Sequence, residues 1–532
     1  MPFADLLAHL EQLLATATWE AGALHARHAA QQLQTRAEAH LLRRVVEVVP
    51  APVRTSGAWP HALAWVAYRT ADEALLQAAL KAAPTVWPAF EAFAASLRLD
   101  WATTLDWAEQ GAGLPGPEGA IAARYRACAQ AELGHADWAQ AFETALRHTR
   151  GRDRGLVRLD FQYYLIRHGQ EPAARDMLAA ATADFQHDDW AMTLTLANLG
   201  ISCQRLGELV EAERALRRAL QVGARPAGQP QLSTAWRGMG SVYHTQNQPA
   251  RAEHAFRMAE AKADNPQDRV AAMRSRARVL RDTGRLNEAL TLLHDARHHA
   301  QLPDDQPHAL YTDLAALRVL LGDVVGAQQA LALVAGGNTE DRWRVAVVEA
   351  ACLLTTSPAE AADHLRAAGL ADAWAGQEAR AFPDLFRAAG IEPHQPDWTG
   401  ELLTAGPIRA VVGGLEVLLK PTRPEAALLA LLVVQGGRVA VEKALAALDL
   451  PGRDERARRK TLSRVVGVLG EALGWPDAVR YDQGVLVLSP DLRWHLHRPA
   501  PAQAELFCEG RYDPWITEWR DEHGPLRWVD WD

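Results

Sequence analysis

Small and large apolar residues recur through the middle of the chain at the period of a helical hairpin. Turn-compatible residues stand at Gly169, Gly207, Asn247, Gly284, Gly322 and Thr356, spaced 38, 40, 37, 38 and 34 residues apart. Five positions after each comes alanine (Ala174, Ala212, Ala252, Ala289, Ala327, Ala361), and nine after comes a large apolar residue (Leu178, Leu216, Phe256, Leu293, Leu331, Leu365). Twelve after comes a small one: Ala181, Ala219, Ala259, Ala296, Val334, Ala368. These positions lie on one face of a helix, so each unit reads as two antiparallel helices around a turn, with small residues where neighbouring helices approach. Looser units at Ala102, Leu105, Ala108 and at Ala139, Phe142, Ala145 carry the pattern towards the N-terminus. Leu6, Leu7, Leu10, Leu13 and Leu14 predict a helix at the start of the chain, with a break at Pro50 and Pro52.

The periodicity ends near Gly390. IEPHQPDWTG reads as a linker. IRAVVGGLEVLLKP predicts two short strands about Gly413 and Gly414. Pro424 opens a helix that Gly436 and Gly437 terminate, and RVAVEKALAALDLP supplies a second helix closed by Pro451. A third carries the apolar stripe Leu462, Val466, Leu469 and Leu473. VRYDQGVLVLSP then predicts a hairpin turning at Asp482, Gln483 and Gly484. Helix, helix, helix, hairpin is the order of a winged helix-turn-helix. The expected fold is mainly α: a helical solenoid followed by a C-terminal α+β winged helix. The expected regions are a degenerate helical segment (1–120), the solenoid (121–390), a linker (391–405), the winged helix (406–498) and a helical tail (499–532). In that tail Trp515, Ile516 and Trp519 share one face, which predicts core packing rather than a partner site.

Charge changes the picture at one place. The chain carries 56 basic against 65 acidic residues, a net charge of −9. Yet RDERARRKTLSR, residues 453–464, holds six basic residues and two acidic ones. Helical spacing turns Arg456, Arg459, Lys460, Ser463 and Arg464 away from the apolar stripe and leaves Arg458 at its edge. Gly467 and Gly470 are expected on the same cationic face. A charge run by itself is often only a solvated face; placed on the third helix of this order, it points to double-stranded DNA.

The repeats resemble the tetratricopeptide repeat family, with Trp236-x2-Met239-Gly240-x2-Tyr243 reproducing its W-x2-L-G-x2-Y signature. That resemblance implies a concave surface lined by the first helix of each pair, which would carry Arg205, Arg237, His244, Arg274, Arg278 and Arg281. Those cations would suit an anionic ligand, a peptide or a protein; the alternative is that they pair with carboxylates of the next repeat. Residues 406 to about 490 resemble the winged-helix domain of response-regulator-type bacterial transcription factors, above all the antibiotic-regulatory-protein activators. The likeness rests on GGLEVLLKPTRPEAALLALLVVQGGRVAVEKALAAL, on ARRKTLSRVVGVLGEALG and on the hairpin. It implies that Arg456, Arg459, Lys460, Ser463 and Arg464 face DNA, that the helix N-terminus lies near a phosphate, and that Arg480 and Gln483 act from the wing.

Other chemistries find no support in the sequence. The four cysteines are far apart with no CxxC pair, and the twenty histidines form no metal-binding spacing, so neither a zinc site nor another cofactor is expected. Neither nucleotide-binding glycine fingerprint is present, and no nucleophile–base set stands out, so an enzyme is not expected. The chain begins without a signal-like segment and has no apolar run long enough to span a bilayer, which predicts a cytoplasmic protein and leaves a homo-oligomer open. The expected role is a bacterial transcriptional regulator whose solenoid senses a partner. The rival is an interaction scaffold whose winged helix only docks protein.

Overall fold

The computed structural model describes residues 3–33, 35–300, 308–334, 339–392, 398–489 and 492–523. The chain divides into two compact units, residues 1–238 with 262–264 and residues 239–261 with 265–532.

One backbone closure generates the helical array. At the end of the first helix of a pair, a residue adopts a left-handed conformation, and the next amide donates to a carbonyl five residues back, which reverses the chain. In the first unit this closure joins Thr18 to Leu13, Asp72 to Ala67, Asp100 to Ala95, His135 to Gln130, Gln170 to Leu165 and Glu208 to Cys203, at 2.8–3.1 Å. In the second it joins Gln248 to Tyr243, Arg285 to Leu280 and Asp323 to Arg318, each at 2.8 Å. The left-handed residues include Gly169, Gly207, Asn247, Gly284 and Gly322, as the repeat spacing predicts, but also Ala17, Ala71 and Leu99. Helical pairs therefore begin with Phe3–Ala15 and Trp19–Gln32, well before the first clear sequence repeat. Thr356 is not left-handed, so the sixth turn is built differently.

The side-chain pattern follows the closure. All six alanines at the fifth position are buried, as are Leu178, Leu216, Phe256, Leu293 and Leu365. Gly200 and Gly240 sit where the paired helix crosses closest: an added Cβ would stand 2.4 Å from Leu216 and 2.6 Å from Phe256. In the fifth unit the second helix, Val324–Leu331, stops early, so Leu331 and Val334 are only half-buried.

The C-terminal part of the second unit packs helices on two small sheets. One has the order β3-β2-β1-β7, built from β1 (Thr399–Leu403), β2 (Arg409–Val412), β3 (Leu415–Glu416) and β7 (Arg493–His497), with β7 parallel to β1. The other has the order β4-β6-β5, from β4 (Arg438–Ala440), β5 (Val479–Asp482) and β6 (Val485–Leu488). With them come helices Pro424–Val434, Val441–Ala447 and Glu455–Leu473, so three helices precede the β5–β6 hairpin, the order expected from the sequence. The hairpin turns on Gln483 and Gly484, both left-handed, the conformation a two-residue turn needs. Pro424–Val434 is apolar on every side and is the centre of the core, with Ala426 to Leu432 fully buried.

Two strands occupy stretches expected to be otherwise. Arg438-Val439-Ala440, read as the start of a helix, is β4 and pairs with Val487, Leu486 and Val485. β1 lies inside the expected linker, of which Pro393–Asp397 falls outside the described residues. The tail belongs to the same core: Phe507 stacks on Trp519 with ring centroids 3.8 Å apart, and Trp515 and Ile516 are buried beside them. Asp513 ties it in further by accepting from the Asp449 amide at 2.9 Å and from Arg511. Phe507→Ala is therefore expected to destabilise the C-terminal domain by about 3–5 kcal/mol, read as a lowered urea midpoint of Trp fluorescence; an unchanged midpoint would detach the tail from the core.

Candidate functional site

The basic helix, Glu455–Leu473, begins at Asp454, whose carboxylate accepts from the Ala457 amide at 2.8 Å, and ends at left-handed Gly474. Leu462, Val466, Leu469 and Leu473 are buried as the stripe predicts, joined by Val465. Arg456, Arg459, Lys460, Ser463 and Arg464 are all exposed, as are Arg480 and Gln483 of the hairpin. Arg459 is partly neutralised, bonding Glu455 at 2.9 Å and Glu442 at 3.1 Å. Arg456, Lys460 and Arg464 have no ion-pair partner among the described residues. Arg458 turns inward and donates to the Leu445 carbonyl. Tyr481 of β5 is half-exposed, and β5 packs against this helix. Strand alternation then puts Arg480 on the face of the hairpin opposite Tyr481.

Two expectations for this helix need correction. Asp454 and Glu455 make its N-terminus anionic and capped, so a phosphate is not favoured there. Gly470 does not belong to the cationic face: it is buried, and an added Cβ would stand 2.8 Å from the Pro476 carbonyl oxygen. Only glycine lets the chain fold back there, with the Trp475 amide donating to the Gly470 carbonyl at 3.0 Å. Gly467 is exposed with nothing within 4 Å of an added Cβ, as expected for that face.

Of the two readings of the inner cations, the anion groove gives way to pairing within the array for Arg205, Arg274, Arg278 and Arg281. Arg274 and Arg278 both bond Asp313, at 2.9 and 2.8 Å. Arg281 bonds Asp282 at 2.7 Å and lies within ion-pair distance of Glu378, at 2.9 Å, and Glu378 also accepts from Arg344 at 3.2 Å. His244 bonds Asp282 at 2.7 Å, and burial lowers its pKa despite that carboxylate. In the first unit Arg205 lies 3.5 Å from Glu171, and Arg237 is half-buried and engaged. Burial alone would raise the pKa of Asp313, yet Arg278, Arg274 and Arg344 outweigh it and hold the carboxyl well below the ordinary range. Charges gathered on inner helices away from water must be paired, and the array supplies the partners itself.

The helix Asp372–Ala381, which the sequence did not single out, is one source of them. Gln377 bonds the Thr245 hydroxyl, and Arg380 donates to the carbonyls of His244 and Thr245 at 2.8 and 3.4 Å. Arg344 lies over the Trp374 ring and Arg281 over Phe382, 5.4 and 5.7 Å from the centroids. The far side of the turn that follows Thr245 meets the C-terminal domain. Ala250 packs on that domain's core, and added Cβ atoms on Gly413 and Gly474 would stand 2.9 Å from Gln248 Nε2 and 2.8 Å from Arg251 Nε. Among the described residues no His, Cys, Asp and Glu cluster could hold a metal, and no helix is long and apolar enough to cross a membrane. The four cysteines are free and buried.

Asp313→Asn should lower the stability of the second unit by about 3 kcal/mol, since it leaves Arg274 and Arg278 facing each other without a counter-charge. Because the folded carboxyl has the depressed pKa, its contribution is complete above the ordinary value of about 4 and is lost as pH falls through the folded value. Urea titrations at pH 7 and pH 3 check this: the gap between wild type and variant should narrow at the lower pH, and a constant gap would contradict it.

Residues 191–264 match the tetratricopeptide repeat family. No curated protein matches the chain. Among solved structures, a human IFIT1 dimer with PPP-AAAA is 13% identical, covers 73% of this chain and 93% of its own, and has a TM-score of 0.37. A Rap protein complexed with Competence and Sporulation Factor is 12% identical, with coverages of 73% and 98% and a TM-score of 0.37. The apo form of RapI is 11% identical, with coverages of 73% and 96% and the same TM-score. At these values the likenesses carry nothing over about ligands.

Proposed function

We propose that the protein is a DNA-binding transcriptional regulator, in which the helical array is an interaction scaffold and the C-terminal domain docks on double-stranded DNA through the basic helix. The observation that carries this reading is the row Arg456, Lys460, Arg464: three exposed cations, four residues apart on one face, with no ion-pair partner among the described residues. Eight residues of helix span about 12 Å, close to the width of a B-DNA major groove, so the outer cations would reach the phosphates bordering it. Exposed Tyr481 and Val468 add apolar surface beside the cations, suited to base edges. Contacts to phosphate would set position, and contacts to bases would set sequence preference.

The second reading is a docking module that does not bind DNA. The acidic cap at Asp454 and Glu455 and the pairing of Arg459 with Glu442 favour it, because both reduce the positive potential at the start of the helix.

Anisotropy of a labelled duplex, titrated between about 50 and 200 mM salt, separates the two. Under the regulator reading affinity falls steeply with salt, and Lys460→Ala with Arg464→Ala lowers the log–log slope by about two while changing unfolding by no more than about 0.5 kcal/mol per site. Arg459→Ala should act more weakly, its charge being already shared with two carboxylates. Absence of binding at the lowest salt would leave the docking reading.

A further inference from the structure

The Asp372–Ala381 helix packs on the inner helices Pro266–Asp282 and Thr339–Leu353, with Trp374, Ala375, Ala379 and Phe382 buried in the core of the array. Trp374, Glu378 and Phe382 stand four residues apart and so share one face of the helix and its C-cap. That face meets complementary groups: Arg344 over Trp374, Arg281 and Arg344 on Glu378, and Arg281 over Phe382. Arg380 and Gln377 extend the contact to the backbone and side chain of residues 244 and 245.

The segment from Tyr243 to Arg251 is touched from two sides. On one side are Arg380 and Gln377; on the other Gln248, Ala250 and Arg251 meet the C-terminal domain at Gly413 and Gly474. The segment is internally braced, with the Arg251 guanidinium 4.0 Å from the Tyr243 ring centroid and donating to the Tyr243 hydroxyl at 2.9 Å and to Gln248 Oε1 at 2.7 Å. A shift on one side is therefore carried to the other through packed groups rather than through a loose loop.

We propose that the inner face around Arg281 and Arg344 is a receptor for a helix presenting an aromatic–acidic–aromatic stripe, occupied at rest by Asp372–Ala381. Exchange of this resident for a partner's helix with the same stripe loosens the C-terminal domain from the array through residues 243–251. The proposal goes beyond DNA binding and does not depend on it. It deepens the scaffold role by naming the chemistry of the partner and what its arrival changes.

Hydrogen exchange on the full chain tests this. Arg380→Ala should speed exchange roughly tenfold in residues 374–381 and also at 411–415 and 470–476, while 428–432 in the domain core stay protected. A synthetic peptide of residues 370–389 should then slow exchange at 274–282 in that variant, and the same peptide with Glu378→Lys should not. Loosening confined to 374–381, or no loosening, overturns the relay; equal action or inaction of the two peptides overturns the receptor. Should Arg380→Ala unfold the chain, Gln248→Ala gives the reverse test, since coupling is reciprocal: exchange must rise at 374–381 as well as at 411–415, and a rise at 411–415 alone overturns the relay.

Discussion

A charge on an inner helix of a coiled repeat array has lost most of its water and must find a counter-charge within the array. Around Asp313 and Glu378 this requirement fixes the geometry of the second unit. Each carboxylate takes two arginines from other helices, so the first helices of several pairs are held together by ion pairs rather than by apolar contact alone. The arrangement sets position more than it adds stability, because buried pairs gain little over apolar packing yet cost several kcal/mol when one partner is removed. It also commits Arg274, Arg278, Arg281 and Arg344 to carboxylates of the array itself.

The same economy links the array to the C-terminal domain. Glu378 and Arg380 lie on one short helix, so the ion pairs that neutralise Arg281 and Arg344 also place Arg380 against the carbonyls of His244 and Thr245. Three residues on, Gln248 and Arg251 meet Gly413 and Gly474, two glycines whose missing side chains allow the close approach. This contact lies at the C-terminal end of the basic helix. Arg464 is ten residues earlier, about 15 Å along the axis, so the domain is held without its cationic face being covered.

Much of this was legible in the sequence, and the failures have physical causes. Repeat turns on glycine or asparagine announce themselves; those on Ala17, Ala71 and Leu99 do not, because there the surrounding packing imposes a left-handed conformation that the residue does not favour. The Leu462, Val466, Leu469, Leu473 stripe fixed the face of the basic helix correctly because local periodicity decides it. β4 was hidden because three residues are too few to show alternation, and β1 because its pairing partner β7 is far along the chain. Gly470 was misplaced since its constraint comes from the chain reversal at Trp475, after the helix ends. The inner arginines fall on first helices as expected, and of the two readings open for them, an anion groove or pairing with carboxylates of other repeats, the structure has the second. Glu378, which answers Arg281, lies three helical pairs further on, and no local pattern connects them.

We propose that this chain holds DNA through one face of one helix. The most direct measurement is amide hydrogen exchange of the full chain with and without a saturating duplex at low salt. Protection concentrated in residues 456–468 and 480–484, with 274–281 unchanged, is the predicted result. No protection on the basic helix, or protection of the inner face of the array instead, would contradict the account.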